Sequence, residues 1–277
     1  MKKTLIVLMA LTGMTSAASL NYGDAAFQSN SELMNGIVVS YDFDTNGTSY
    51  VSSTGLKWQQ WIDGNTDVDF AASGGVMGSG CSVYTNTLGD AFDTGSFTIS
   101  FDLISTTKAA DYGCLLSLYS SNAGYASKWS NAMTIRDDTN GNLVFALSSG
   151  GATSFDGKTT GIIQTGISAN YAEPEPITIT IVSSKGSTDG TGTLTLYING
   201  SQKGDTITGW NAKDLTGIAF GDVFGGGAGT GGQTIDNLNI WNTALSSQAV
   251  AALVPEPTTA TLSLLALCGL AARRRRK

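Results

Sequence analysis

The sequence predicts an all-β fold, a two-sheet antiparallel β-sandwich. Apolar and polar residues alternate with period two in several short runs, the pattern of strands with one buried and one wet face. Glycine-bearing turn pairs separate those runs. The composition agrees: of 277 residues, 35 are Gly, only 4 are Pro, and 13% are charged. That suits a polar-faced β protein with many turns better than a helical enzyme.

Residues 1–18 read as a secretory signal peptide. Lys2 and Lys3 supply a charged start and Leu5 to Leu11 an apolar centre. Thr15-Ser16-Ala17 and Ser16-Ala17-Ala18 both offer small residues for cleavage. An N-terminal membrane anchor is the alternative, and the shortness of the apolar run weighs against it. Residues 19–34 form a lead-in to a single domain over 35–253.

Ile37 to Phe43 is the first expected strand. Phe97, Ile99, Phe101 and Leu103 then alternate with Ser96, Thr98, Ser100 and Asp102. Leu115 to Tyr119 and Leu143 to Leu147 are further strands. Ile177, Ile179 and Ile181 alternate with threonines, as do Leu194 and Leu196, and Leu238 and Ile240 alternate with Asn237, Asn239 and Trp241. Trp241 reads as structural. Asn140-Gly141 and Asn199-Gly200 can take the positive φ of tight hairpin turns. Only Ser246 to Leu253 looks helical, with Ser246 as N-cap. Many short strands with regular turns favour two packed sheets.

Residues 254–277 have three parts. Pro255-Glu256-Pro257 is stiff and extended. Thr258 to Ala272 is uncharged and can form an apolar helix of about 22 Å, short against a hydrocarbon core of about 30 Å. Arg273 to Lys277 are five cations that hold the end on the cytoplasmic side. This order resembles the PEP-CTERM sorting signal of Gram-negative bacteria. The resemblance implies export, a membrane segment at 258–272, and processing near Pro255, Glu256 and Pro257 by an exosortase-type membrane peptidase. An ordinary tail anchor is the alternative.

The domain resembles the laminin-G or concanavalin A-like jelly roll. Tyr41-Asp42-Phe43-Asp44 matches its opening and Ser96 to Phe101 a central strand. Leu194 to Gly200 matches a hairpin, and Ile235 to Ser246 its closing strand. One departure is that Ala249 stands where a glutamate often completes the capping box after the capping serine.

The chemistry is bounded by what is missing. The chain has no His, which removes the commonest general base and metal ligand. Its glutamates are Glu32, Glu173, Glu175 and Glu256. No pair of them, and no aspartate pair within a strand, has the arrangement that glycoside hydrolysis needs. Between residues 19 and 253 stand 21 acidic and 8 basic side chains, a balance of −13. Nucleic acid is therefore not an expected partner.

Calcium is the one cofactor considered, because it takes hard oxygen ligands. Asp42, Asp44 and Asn46 form one candidate cluster, and Asp63, Asp67 and Asp69 a second. Turn-capping aspartates in solvated loops are the alternative reading of both. Sugar faces stack on aromatic rings beside amides. That makes Trp58, Gln60 and Trp61 candidate ligand-binding residues. Tyr125 and Trp129 are a second group, and Trp210, placed in a loop, a third. Packing in the core or at its edge is the competing role for each. Cys81 and Cys114 can pair in an oxidising compartment or pack as separate buried thiols.

These observations lead to a non-catalytic recognition or adhesion protein of the cell surface or exterior, carbohydrate-binding and calcium-assisted. Its expected ligand is a polysaccharide or glycoprotein. A structural surface or matrix protein and an unusual glycoside-active enzyme are the alternatives.

Overall fold

The computed structural model describes residues 19–42, 48–49, 59–60, 76–77, 83–85, 92, 94–106, 114–119, 133–138, 140–147, 162–172, 175–187, 191–210, 215, 217–220 and 233–254. Two short helices open this part of the chain, α1 (Ala25–Ser29) and α2 (Ser31–Met34). Strands β1 (Ile37–Asp42), β2 (Thr48–Ser49), β3 (Gln59–Gln60), β4 (Val76–Met77) and β5 (Val83–Thr85) follow. Next come β6 (Phe97–Thr106), β7 (Cys114–Tyr119), β8 (Met133–Asp137), β9 (Asn142–Leu147) and β10 (Ile162–Ser168). The last strands are β11 (Ile177–Ser184), β12 (Gly192–Ile198), β13 (Ser201–Gln202), β14 (Ile207–Trp210), β15 (Gly217–Phe220) and β16 (Gln233–Trp241). Helix α3 (Ser247–Leu253) closes the fold.

Among the described residues the strands form two antiparallel sheets. The nine-stranded sheet runs β13-β12-β11-β6-β16-β1-β2, with β14 also on β12 and β4 on β16. The seven-stranded sheet runs β10-β9-β8-β7-β15-β5-β3. Their facing sides share one core. Phe97, Ile99, Phe101 and Leu103 of β6 pack with Leu116 and Leu118 of β7, Ile135 of β8 and Phe145 of β9. Phe101 and Phe220 meet edge to face across the two sheets, 5.3 Å between ring centres. Removal from water stabilises the fold by about 1.5–3 kcal/mol for each such side chain. The two-sheet antiparallel architecture expected from the sequence is therefore present.

The alternation at β6 predicted a wet outer face, and the structure corrects this. Thr98, Ser100 and Asp102 are 0%, 1% and 0% exposed. A second apolar cluster covers that side of the sheet. Phe27, Leu33, Trp241, Val250 and Leu253 form it with Ile37, Val182 and Tyr197. Phe27 stacks on Trp241 at 6.1 Å, and the Trp241 indole donates Nε1–H to the Leu33 carbonyl at 2.7 Å. Leu20 N–H bonds the Leu253 carbonyl at 2.7 Å, tying the lead-in to α3. Trp241 is thus structural, as its sequence setting implied.

The polar residues Thr98, Ser100 and Asp102 of β6 survive beneath this cover because each finds a partner. Ser100 and Thr180 share a hydroxyl–hydroxyl bond of 2.8 Å. Thr98 Oγ1 donates to the Thr243 carbonyl at 2.9 Å and accepts from Leu245 N at 3.0 Å. Hydrogen bonds of this kind offset the cost of taking a polar group out of water.

The turns follow their chemistry. Asn199 and Gly200 both take positive φ, 49° and 73°, and they connect β12 to β13 as a two-residue hairpin. At the other turn only Gly141 does so, with φ 82°. Asp138 caps that turn, accepting from the backbone N–H of Asn140 and of Asn142, each at 2.8 Å. Ser246 is the N-cap of α3, accepting from Ala249 N at 3.2 Å. The sequence reading placed a helix only at 246–253, so α1 and α2 are additions. Asn30 makes α2 possible, its side chain accepting from Glu32 N and Leu33 N.

Candidate ligand-binding groove

A groove of about 570 Å³ opens where the edges of the two sheets meet. Ile163 and Gln164 of β10 form one wall, and Lys203 to Thr208 form the other. Chain geometry forces this approach. Gly204 has φ +68°, and a Cβ there would lie 2.7 Å from Ile163 Cγ2. The Lys203 ammonium lies over Gly166, only 3.1 Å from where a Cβ would stand. Two glycines thus let the segment after β13 fold back onto β10.

The lining combines Ile163 and Ile207 with one amide, one cation, one carboxylate and two hydroxyls: Gln164, Lys203, Asp205, Thr206 and Thr208. Thr206 Oγ1 is held by Thr195 Oγ1 at 3.1 Å and by Gln202 Nε2 at 3.3 Å. Gln202 Nε2 also donates to the Gly204 carbonyl at 3.1 Å. The rim is therefore pre-ordered, with donors and acceptors around a partly apolar floor, the mixture that orients a small polar ligand.

Sequence reasoning did not single out this groove. The signal was present: Ile163, Thr165, Ile167 and Ala169 are buried while Gln164, Gly166, Ser168 and Asn170 are exposed. That strand period is complete, but a glycine interrupts it.

No candidate aromatic is among the described residues that line the groove. Trp58, Trp61, Tyr125 and Trp129 lie outside the described residues, and Gln60 lies on β3. Trp210 is not in a loop but ends β14, paired with Gly192. Gly209 takes φ +81° within that strand, where the pairing with β12 shifts register. Asp42 ends β1, whereas Asp44, Asn46, Asp63, Asp67 and Asp69 lie outside the described residues. So do Cys81, Pro255, Glu256 and Pro257; Cys114 begins β7 opposite Arg136. Among the described residues no three His, Cys, Asp or Glu side chains group to hold a metal ion. No helix among them is long and apolar enough to cross a membrane, and residues 258–272 are outside that set.

Two aspartates do face each other across neighbouring strands. Asp102 of β6 lies opposite Asp236 of β16. Asp102 is fully buried. Its Oδ2 accepts from Ser19 N and from Asn237 Nδ2, both at 2.8 Å, and its Oδ1 accepts from Thr178 Oγ1 at 2.7 Å. Asp236 Oδ1 accepts from Asn237 N at 2.7 Å. A bulge between Asp236 and Asn239 puts Asn237 at φ +52° and lets its amide reach Asp102. Three buried oxygens around this knot have no partner: Ser19 Oγ, Asn237 Oδ1 and Asn239 Oδ1.

No protein-family model matches the chain, and no curated protein matches it. Among solved structures it is similar to the binding domain of botulinum neurotoxin serotype D. The TM-score is 0.50 at 14% identity, over 78% of this chain and 50% of that one. The serotype G binding domain gives 0.49 at 14% identity, over 78% and 50%. The binding domain of botulinum neurotoxin DC in complex with SialylT gives 0.49 at 15%, over 79% and 50%. The chain spans about half the length of these domains. The likeness to the serotype D domain is one of fold: this chain carries a β architecture also found in a toxin binding domain.

Proposed function

We propose that this chain is an exported, non-catalytic recognition domain that binds carbohydrate through the groove between β10 and the β13–β14 connection. The observation that carries the reading is the groove's lining. Gln164, Lys203, Asp205, Thr206 and Thr208 offer amide, charged and hydroxyl groups over Ile163 and Ile207, which suits a polyhydroxylated ligand with an apolar face. The buried, fully engaged Asp102 supports binding over hydrolysis, because a glycosidase needs its two carboxylates at the substrate. The fold shared with a domain named for binding is in keeping with this.

Finer assignments belong to the same proposal. The domain is of the laminin-G or concanavalin A-like jelly-roll type. A signal peptide at 1–18 and a PEP-CTERM tail at 254–277 deliver it to the envelope or exterior. Calcium at Asp42, Asp44 and Asn46, or at Asp63, Asp67 and Asp69, assists binding. Calorimetry with Ca²⁺ tests that last point: no heat and an unchanged melting temperature would remove it.

A broad glycan array, run with and without calcium on wild type, Lys203→Ala and Asp205→Ala, tests the main reading. Binding by wild type, weakened about tenfold in the variants (about 1.4 kcal/mol), is expected. No signal under either condition would sink it. A structural surface protein is the second reading, favoured by the absence of an aromatic ring among the described residues that line the groove.

A further inference from the structure

Asp102 stands at the middle of the nine-stranded sheet, flanked by β11 and β16 and covered on its outer side. Both of its oxygens accept hydrogen bonds, from Ser19 N, Asn237 Nδ2 and Thr178 Oγ1. Among the described residues no lysine or arginine is bonded to it. An acid taken from water with neutral partners alone is costly, and a cation beside it offsets that cost. One of its partners is a backbone nitrogen, and its place in the sequence is informative. Ser19 directly follows Ala18, the last residue of the small-residue triplet Ser16-Ala17-Ala18.

We infer that the leader is cut between Ala18 and Ser19, and that the α-ammonium released on Ser19 closes a buried ion pair with Asp102. The inference rests on the export reading above and deepens it. Hydrolysis by a signal-peptidase-class enzyme adds one water. The Ala18–Ser19 amide bond breaks, Ala18 keeps a carboxylate on the leader, and Ser19 leaves as an amine that takes up a proton. Before the cut, Ser19 offers Asp102 one N–H from a neutral amide. After it, the same nitrogen carries a positive charge and two further donors.

The surroundings suit an ammonium. Ser19 is 5% exposed, Asn237 3% and Asn239 1%, and each holds an unpartnered oxygen. The Asn237 amide shares Asp102 Oδ2 with Ser19 N, so its spare Oδ1 belongs to the same small polar knot. Extra N–H donors are what such acceptors lack. Only one of the two cleavage triplets yields this pair. A cut after Ala17 would leave Ala18 ahead of Ser19, and the nitrogen at Asp102 would remain a peptide amide. Ser19 is buried in the finished fold, so a chain cut before it docks brings the free amine to Asp102 as the fold closes. Removal of the leader would then be coupled to completion of the sheet's cover through Leu20 and α3.

The test uses the full chain expressed with its own leader and recovered after export. Intact mass and N-terminal sequencing should place the mature start at Ser19. An amine-acylating reagent at neutral pH should label that terminus at least about tenfold more slowly in the folded protein than in denaturant, as burial requires. A second arm uses Ser16→Leu. This removes the Ser16-Ala17-Ala18 triplet and shifts the cut to Ala17, so the mature protein differs only by carrying Ala18. It should melt lower by several degrees, and Asp102→Asn should depress the melting temperature of the Ser19-starting protein much more than that of the Ala18-starting one. A mass that still includes residues 1–18 would defeat the export reading and the pair together. A stable mature protein that begins at another residue would leave export standing and overturn the pair. So would a Ser19 amine labelled at the denatured rate, or equal effects of Asp102→Asn in both backgrounds. The labelling arm decides the question even where Asp102→Asn fails to fold.

Discussion

Glu32 grips Ser246 with both carboxylate oxygens: Oε1 accepts from the Ser246 backbone N–H at 2.6 Å, and Oε2 from its hydroxyl at 2.9 Å. In a capping box, the glutamate that accepts from the N-cap N–H comes from three residues downstream. Here that position is Ala249, and the carboxylate arrives from α2, 214 residues earlier in sequence. The cap of the last helix is therefore finished by the first part of the fold. Removing Glu32 as Ala should destabilise by about 1.5–3 kcal/mol, the range for hydrogen bonds to a charged group. Ser246→Ala should cost about 1 kcal/mol. Urea denaturation of the singles and the double should show coupling of at least about 0.5 kcal/mol; strict additivity would mean that the two residues act separately.

Phe27 tests whether the lead-in belongs to the folding unit. It is fully buried against Trp241. Phe27→Ala should cost about 3–5 kcal/mol, as for other buried phenylalanines, and should change the emission of Trp241. A loss under about 1 kcal/mol would show that residues 19–34 are dispensable cover.

Asp138 predicts an acid-side dependence. The backbone N–H of Asn142 foremost holds its carboxyl below the usual carboxylate range, outweighing the opposing effect of burial with the help of the Asn140 N–H. A carboxyl depressed in the folded state adds stability above its unfolded pKa, and that stability is lost as pH falls through the folded value. Asp138→Ala should therefore be destabilising at neutral pH, by about 1 kcal/mol for two lost turn bonds. The gap from wild type should shrink as the pH is lowered below about 4. A gap that stays constant down to pH 2 would rule out the charge as its source.

Tyr197 predicts the alkaline side. Burial alone pushes its phenol above the ordinary tyrosine value, because the anion is disfavoured away from water. With the folded pKa raised, its contribution is complete below the unfolded value of about 10 and declines as pH climbs through the folded one. Ultraviolet titration should show a late tyrosine step in the folded wild type, and Tyr197→Phe should remove it. A phenol that titrates with the exposed tyrosines would contradict this.

Gly36 marks where β1 meets the segment after β16. Its φ is +75°, and a Cβ would stand 2.7 Å from Asn242 Oδ1 and 2.8 Å from Thr243 Cγ2. Its carbonyl also accepts from Asn242 N at 2.8 Å. Gly36→Ala should cost about 1–3 kcal/mol from strain and displacement together. A stabilised variant would show that the backbone there relaxes freely.

Sheet architecture was legible because β6, β11 and β12 alternate cleanly, and because Asn199-Gly200 dictates its own hairpin. The role of the polar face of β6 was not. Thr98, Ser100 and Asp102 look like solvent-facing residues until Phe27, Leu33 and Val250 arrive from both ends of the chain to cover them. Period-two patterning reports unlike faces; it cannot report what is laid over the polar one. For the same reason Glu32, set apart as preceding the domain, was not connected to Ser246, although the missing glutamate at 249 was visible. The groove was missed because its segments are joined through two glycine-permitted approaches, Gly166 to Lys203 and Gly204 to Ile163, which have no sequence periodicity.

The bond between Leu20 N and the Leu253 carbonyl has a mechanical consequence. Entry and exit of the domain are clasped side by side, so a pull on either flank is borne first at one fastening rather than spread along the sheets. A tether attached beyond residue 254 would load the same clasp that pins residue 20, and the strands behind it would feel tension only once that fastening had given way.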